Sequence, residues 1–189
     1  MVNVKVPFID MSLLYCSFRN MQISSYITMF ISAIFLGIFS TLIMDLSNFL
    51  AKKTGIHLGG NYALIGRWMG GFFRGRFTYA WILKEPPHRH EVLIGIIAHY
   101  CIGIALALIY LLLMSKLGLP ADSFVAAIVY GLLTNILPWF VMFPAFGFGV
   151  LGRMGPPNNS LLKTSFCNHL SFGMALALGA LWLRTLFNN

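Results

Sequence analysis

The sequence predicts an all-α integral membrane protein, a bundle of four transmembrane helices, on three observations. Hydrophobic residues make up 58% of the 189 and charged residues only 10%. A soluble domain carries roughly 25% charged residues, so the polar side chains here are too few to coat a soluble globule. Four apolar stretches, at about 26–51, 91–114, 123–143 and 161–183, are each near the ~20 residues that cross a bilayer core. Two of them carry one phrase: His99-Tyr-Cys-Ile-Gly103-Ile-Ala-Leu-Ala-Leu108 and His169-Leu-Ser-Phe-Gly173-Met-Ala-Leu-Ala-Leu178. Each places an imidazole one turn before a glycine inside an apolar helix, where an ionisable group is costly unless it faces protein, water or a ligand.

Residues 1–25 read as an N-terminal extension. They do not match the short basic start, apolar run and small-residue cleavage site of a secretory signal, and Met11 and Met21 offer later starting points. Residues 26–184 read as a single four-span membrane domain. The first span is followed by a long loop, 52–90, that is not featureless. Within it Asn61–Phe77 interleaves aromatic and apolar residues with Arg67, Arg74 and Arg76. Such a segment is expected to lie in the headgroup region, with arginines reaching phosphates and Trp68 anchoring at the interface. Pro86-Pro87 breaks any helix before Glu91 opens the second span. Glu91 itself is a helix N-terminal charge favoured by the dipole. Between the third and fourth spans the loop Pro144–Asn159 is rich in Gly and Pro. Its apolar half is a candidate for re-entry at the membrane edge, where irregular backbone is tolerated only if protein or water satisfies it.

The repeated phrase is compatible with a duplicated two-helix hairpin. Spans one and three match more weakly, Gly37-Ile-Phe-Ser-Thr41 beside Gly131-Leu-Leu-Thr134. The two hairpins would then be a parallel repeat about the membrane normal.

Charge sets orientation. The formal charge of +8, in a chain this apolar, reads as topology and lipid-headgroup signals rather than as nucleic-acid binding. Loop 52–90 holds seven basic residues, and Arg153 and Lys163 bring that side to nine. Lys5, Arg19, Lys116 and Arg184 make four on the other. The positive-inside rule places loops 52–90 and 144–160 in the cytoplasm and both termini outside. Arg67, Arg74, Arg76, Glu91 and Arg153 are the candidates for a cytoplasmic mouth or for headgroup contacts. The expected partners are the lipid bilayer, its anionic headgroups and a second copy of the chain.

At i, i+4 spacing every span has a small-residue face carrying one polar group. These faces are Ala33-Gly37-Thr41-Asp45, Glu91-Gly95-His99-Gly103-Ala107, Ala127-Gly131-Asn135 and Ser165-His169-Gly173-Ala177. Small residues let helices approach closely, and buried polar side chains bond across the gap. If the faces meet, Asp45, His99, Asn135 and His169 form one polar layer. The bland alternative is a structural Asp–His hydrogen bond, with Asn135 as interhelical glue. Cys16, Cys101 and Cys167 include no CxxC pair, so neither a disulfide framework nor a zinc site is indicated. His57, His88 and His90 are loop residues suited to headgroup contact, and no metal site is expected.

Several motifs together carry a resemblance. They are Gly37-x3-Thr41-x2-Met44-Asp45, Tyr62-Ala-Leu-x-Gly66-Arg67-Trp68, Arg74-Gly75-Arg76-Phe77, Glu91-x3-Gly95, Ala98-His99-Tyr100-x2-Gly103, Pro144-Ala-x-Gly147-x-Gly149 and His169-x2-Phe172-Gly173. Over roughly residues 30–180 the chain resembles a bacterial family of small inner-membrane proteins classed only as a domain of unknown function. The resemblance implies an inner-membrane protein of about four spans and no activity.

Four function classes remain open. A small solute- or proton-linked transporter, or a channel-like protein, uses a histidine that exchanges protons near neutral pH. A cofactor module ligates a b-type haem between the two histidines. An interfacial enzyme draws general acid–base chemistry from Asp and His, but the sequence has no nucleophile elbow, HExxH or acidic metal motif, and an enzyme is the weaker reading. A structural or assembly subunit uses the polar layer only to pack. Transport leads, and no cofactor is assigned.

Overall fold

The structure is a computed structural model. It is described for residues 11–53, 61–156 and 161–187, and for the side chains of 25–186 among them. Residues 1–10 of the extension, His57 and the 157–160 end of the second loop lie outside the described residues. All regular structure among the described residues is helical. We label the helices α1 (Met11–Lys53), α2 (Tyr62–Phe72), α3 (Glu91–Leu117), α4 (Phe124–Ala145) and α5 (Leu161–Phe187). Four stretches are long and apolar enough to cross a membrane: Ser25–Lys53, Glu91–Leu117, Phe124–Ala145 and Leu161–Leu186. Each expected span is present, extended by a few residues at one or both ends.

Local chemistry sets the boundaries. The Asn61 side chain accepts from the Ala63 N–H at 3.0 Å and starts α2. Gly118, at φ +64°, ends α3 in the left-handed conformation open to glycine. Ser123 caps α4. Midway along α4, Pro138 lacks the N–H that an α-helix needs. The ladder widens there into a π turn over Pro138–Met142, closed by the Phe143 N–H on the Pro138 carbonyl.

Glycine contacts organise the bundle. A Cβ at Gly37 would collide with the Ile104 backbone, and one at Gly103 with the Thr41 hydroxyl, so α1 and α3 pack backbone to backbone. In the second hairpin a Cβ at Gly131 would meet the His169 carbonyl and Gly173, and one at Gly173 the Ala127 carbonyl. Positions matched between the two phrases therefore carry matched packing roles. The hairpins join along α1 and α5. Leu36, Leu106, Tyr110, Tyr130, Phe172 and Leu176 form the shared apolar core.

The interhelical loops fold inward rather than trailing across a surface. α2 lies along the first half of α3, because Gly66 and Gly95 let the Glu91 and Tyr62 carbonyls come close. The first loop then bonds to the second: Tyr79 N–H to the Ala145 carbonyl at 2.8 Å and Ile82 N–H to the Phe146 carbonyl at 3.0 Å. Phe143, Phe146, Phe148, Leu64, Tyr79 and Ile82 make a second buried cluster, a cap on one end of the bundle. Trp68 belongs to this cap. Its ring packs edge-on against Phe72 and Phe146, and its indole N–H donates to the Phe77 carbonyl at 2.8 Å.

Candidate functional site

A cavity of about 400 Å³ lies between the two hairpins, beneath the cap. Its polar residues are Thr41 and Asn48 of α1, Asn61 and Tyr62 at the start of α2, His99 of α3, and Thr164, Ser165, Asn168 and His169 of α5. The helical period explains how α1 contributes. Thr41, Asp45 and Asn48 follow i, i+4, i+7 and share a face. The two histidines border one cavity, with different partners behind them.

Asp45 stands behind His99. Its Oδ1 accepts from the Tyr62 hydroxyl and lies 3.3 Å from His99 Nε2; its Oδ2 accepts from the Tyr100 hydroxyl at 3.0 Å. Three donors from two other helices thus converge on one carboxylate, which offsets the cost of placing it in an apolar span. Tyr62 lies outside the spans. Burial first, and then the Asp45 carboxylate, push its pKa well above the ordinary phenol value.

His169 has a different neighbour. Its Nδ1 lies 2.6 Å from Thr134 Oγ1, which also lies 2.6 Å from the Gly131 carbonyl. The hydroxyl has one proton. When it goes to Gly131, Nδ1 must donate and Nε2 is an acceptor; when it goes to Nδ1, Nε2 carries the hydrogen. Asn135, one residue on, does not line the cavity. It accepts from Ser165 at 2.7 Å and donates to the Leu132 carbonyl at 3.0 Å, tying α4 to α5. Asp45, His99, Asn135 and His169 thus form three separate hydrogen-bonded sets. Only the two histidines reach the cavity wall.

The basic candidates divide similarly. Arg67 donates through Nε and Nη2 to both Glu91 oxygens, at 2.8 and 2.9 Å, and through Nη1 to the Ile82 and Glu85 carbonyls. The His88 N–H also binds Glu91. Glu91 is therefore a partner of the loop as well as a first-turn acid, and the paired carboxylate holds the Arg67 pKa above its usual value. Arg76 pairs with Glu85 through two bonds, at 3.0 and 2.7 Å. Arg74 and Arg153 are exposed.

Sequence reasoning missed several of these partners. Tyr100 adjoins His99, Thr134 precedes Asn135 and Asn168 precedes His169, but one-residue steps turn about 100° around a helix and fall off an i, i+4 stripe. Asn48 was within reach, at i+3 from Asp45.

The haem reading meets a specific obstacle. Two axial imidazoles would each offer a nitrogen to one iron, and His99 already directs Nε2 at Asp45. Among the described residues no group of three or more His, Cys, Asp or Glu side chains gathers as a metal site. Three buried wall atoms, Thr41 Oγ1, Asn48 Oδ1 and Asn168 Oδ1, have no hydrogen-bond partner. A buried polar atom without a partner costs about 1–3 kcal/mol, and Ser40 Oγ and Trp139 Nε1, outside the cavity lining, are two more such atoms.

Fold and cavity define a multi-pass helical membrane protein with a largely apolar chamber, set with a few polar groups, between two hairpins. Residues 34–183 match the family described as protein of unknown function, DUF2938, and the chain belongs to that family. No curated protein and no solved structure matches it.

Proposed function

We propose that this protein is a small carrier of the bacterial inner membrane, which binds a small molecule in the cavity between its hairpins. The observation that supports this reading is the wall of that cavity, where two histidines stand with three unpartnered buried polar atoms. A volume near 400 Å³ falls within the roughly 300–1,000 Å³ of ligand pockets. His99 is a proton-exchange group in this reading, with Asp45, Tyr62 and Tyr100 around its ring and His169 across the cavity. The excess of lysine and arginine orients the capped end toward the cytoplasm, with both termini outside. Exposed Arg74 and Arg153 then contact anionic headgroups.

The test is native mass spectrometry of the protein released gently from its own membranes. A bound species of defined mass, lost in His99→Ala and His169→Ala while the folded protein persists, is the expected result. A ligand-free protein whose histidine variants behave as wild type would remove the carrier reading. A fixed protein partner in its place would favour an assembly role. The same spectrum reads whether one copy or two make the particle.

A further inference from the structure

The cavity's shape and chemistry narrow what it holds. We infer that its ligand is a neutral amphiphile drawn sideways from the bilayer, an apolar chain or ring with a hydrogen-bond-donating head such as a hydroxyl. This inference rests on the carrier reading and names the class of its ligand.

The route is a seam between α3 and α4. At the far end of the bundle Tyr130 donates to the Leu106 carbonyl at 2.7 Å and its ring packs on Tyr110, which closes the seam there. At the near end the cap closes it. Between the two, Ile102 of α3 and Leu137 and Val141 of α4 line the cavity while being 41, 44 and 50% exposed. In a helix that crosses a membrane, such an exposed apolar residue faces lipid tails. The cavity wall therefore continues into the bilayer-facing surface with no polar barrier. The π turn at Pro138–Met142 lies along this stretch of α4 and lines the same cavity.

The inner end fixes the head. Thr41 is 1% exposed, with its hydroxyl unpartnered. The free atoms of Asn48 and Asn168 are carboxamide oxygens, which accept and do not donate. A head that donates satisfies the two amide oxygens; an ester or ether oxygen, which only accepts, can be bonded by the Thr41 hydroxyl alone. None of the residues lining the cavity is Lys, Arg, Asp or Glu. A phosphate or carboxylate head would find no permanent counter-charge there, and its desolvation cost would be offset only where a wall histidine took up a proton. The nearby arginines are committed elsewhere, Arg67 to Glu91 and Arg76 to Glu85.

Trp68 lines the cavity and supplies the readout. Brominated lipids quench a tryptophan only on contact, so the purified protein in detergent is titrated with dibromostearoyl monoglyceride. Methyl dibromostearate, without the donor, and the dibromostearate anion are the controls. The expected result is saturable quenching by the monoglyceride that disappears in Trp68→Phe, with both controls about tenfold weaker, the size of one or two lost hydrogen bonds. Asn168→Leu should shrink that preference. Equal quenching by all three probes would overturn the inference, and so would quenching that does not depend on Trp68. The comparison among probes uses the wild-type chain, so it stands even if a variant fails to fold. A water-soluble species bound in a His99- and His169-dependent way, with no Trp68 quenching, would sink the lipid route and leave the carrier. Absence of both would sink both.

Discussion

Arg67 holds Glu91, 24 positions further along the chain, through two parallel hydrogen bonds, with the two side chains only 13 and 10% exposed. One bond pair thus joins the short helix α2 to the first turn of α3. Removing one partner of a buried pair leaves the other charge uncompensated, at a cost of about 3 kcal/mol. Glu91→Gln and Arg67→Lys are both expected to lower the unfolding midpoint in detergent. Lysine fails because it lacks the planar fork that binds both carboxylate oxygens. The double change of Arg67 and Glu91 to Met should cost less than either single change.

The packing of α2 makes adjacent glycines unequal. Gly66 has the Glu91 carbonyl where its Cβ would be, while Gly70 has nothing within 4 Å. Gly66→Ala should destabilise by about 2 kcal/mol through overpacking. Gly70→Ala, in the same helix, should be neutral or stabilise by about 0.5 kcal/mol. Midpoints that fall equally for both would contradict the contact.

Acid and alkali should act at different places in the capped end. Arg76 holds the Glu85 carboxyl below its ordinary range. A depressed pKa contributes stability that is present above the unfolded value, near 4.3, and lost as pH falls through the folded one. The stability difference between wild type and Glu85→Gln should be constant around neutrality, close up on acidification, and be smaller in high salt, because the pair is exposed. Tyr62 has the opposite sign. Its raised pKa makes a contribution that is complete below about 10 and is lost only as pH climbs toward the folded value. Absorbance titration should show Tyr62→Phe missing a phenol that ionises late.

Tyr130 is the pin that closes one end of the α3–α4 seam. Tyr130→Phe keeps the ring on Tyr110 but loses the bond to the Leu106 carbonyl. In a membrane such a bond is worth about 0.6 kcal/mol, so the stability change should be small. Closer contact of the seam with lipid is expected instead, read as stronger quenching of a spin label placed at Ile102 by a lipid-borne relaxant.

Sidedness has a direct readout. With native cysteines replaced, Arg153→Cys should react with an impermeant maleimide only after the inner membrane is opened. Lys116→Cys should react from outside. The reverse pattern would invert the orientation proposed from charge.

The sequence by itself determined the class and the spans. Twenty-residue apolar runs and scarce charge leave few folds, because a bilayer tolerates only a backbone bonded to itself. It also marked the glycine faces, since Gly37, Gly103, Gly131 and Gly173 sit at helical spacing and do meet. It singled out His99 and His169, because an imidazole in an apolar run is conspicuous. Only the tertiary structure decided which polar groups share a space. Asp45 and Asn135 satisfy the same periodicity as the histidines, yet neither lines the cavity: one lies behind His99 and the other bonds to Ser165. The fate of Arg67 was equally hidden. A basic residue amid aromatics reads as a headgroup contact until Gly66 and Gly95 bring its backbone against Glu91. Periodicity reports the face of one helix. Whether two faces meet depends on rotation, on close approach at glycines and on a π turn at Pro138, all of which are properties of pairs of helices rather than of a string.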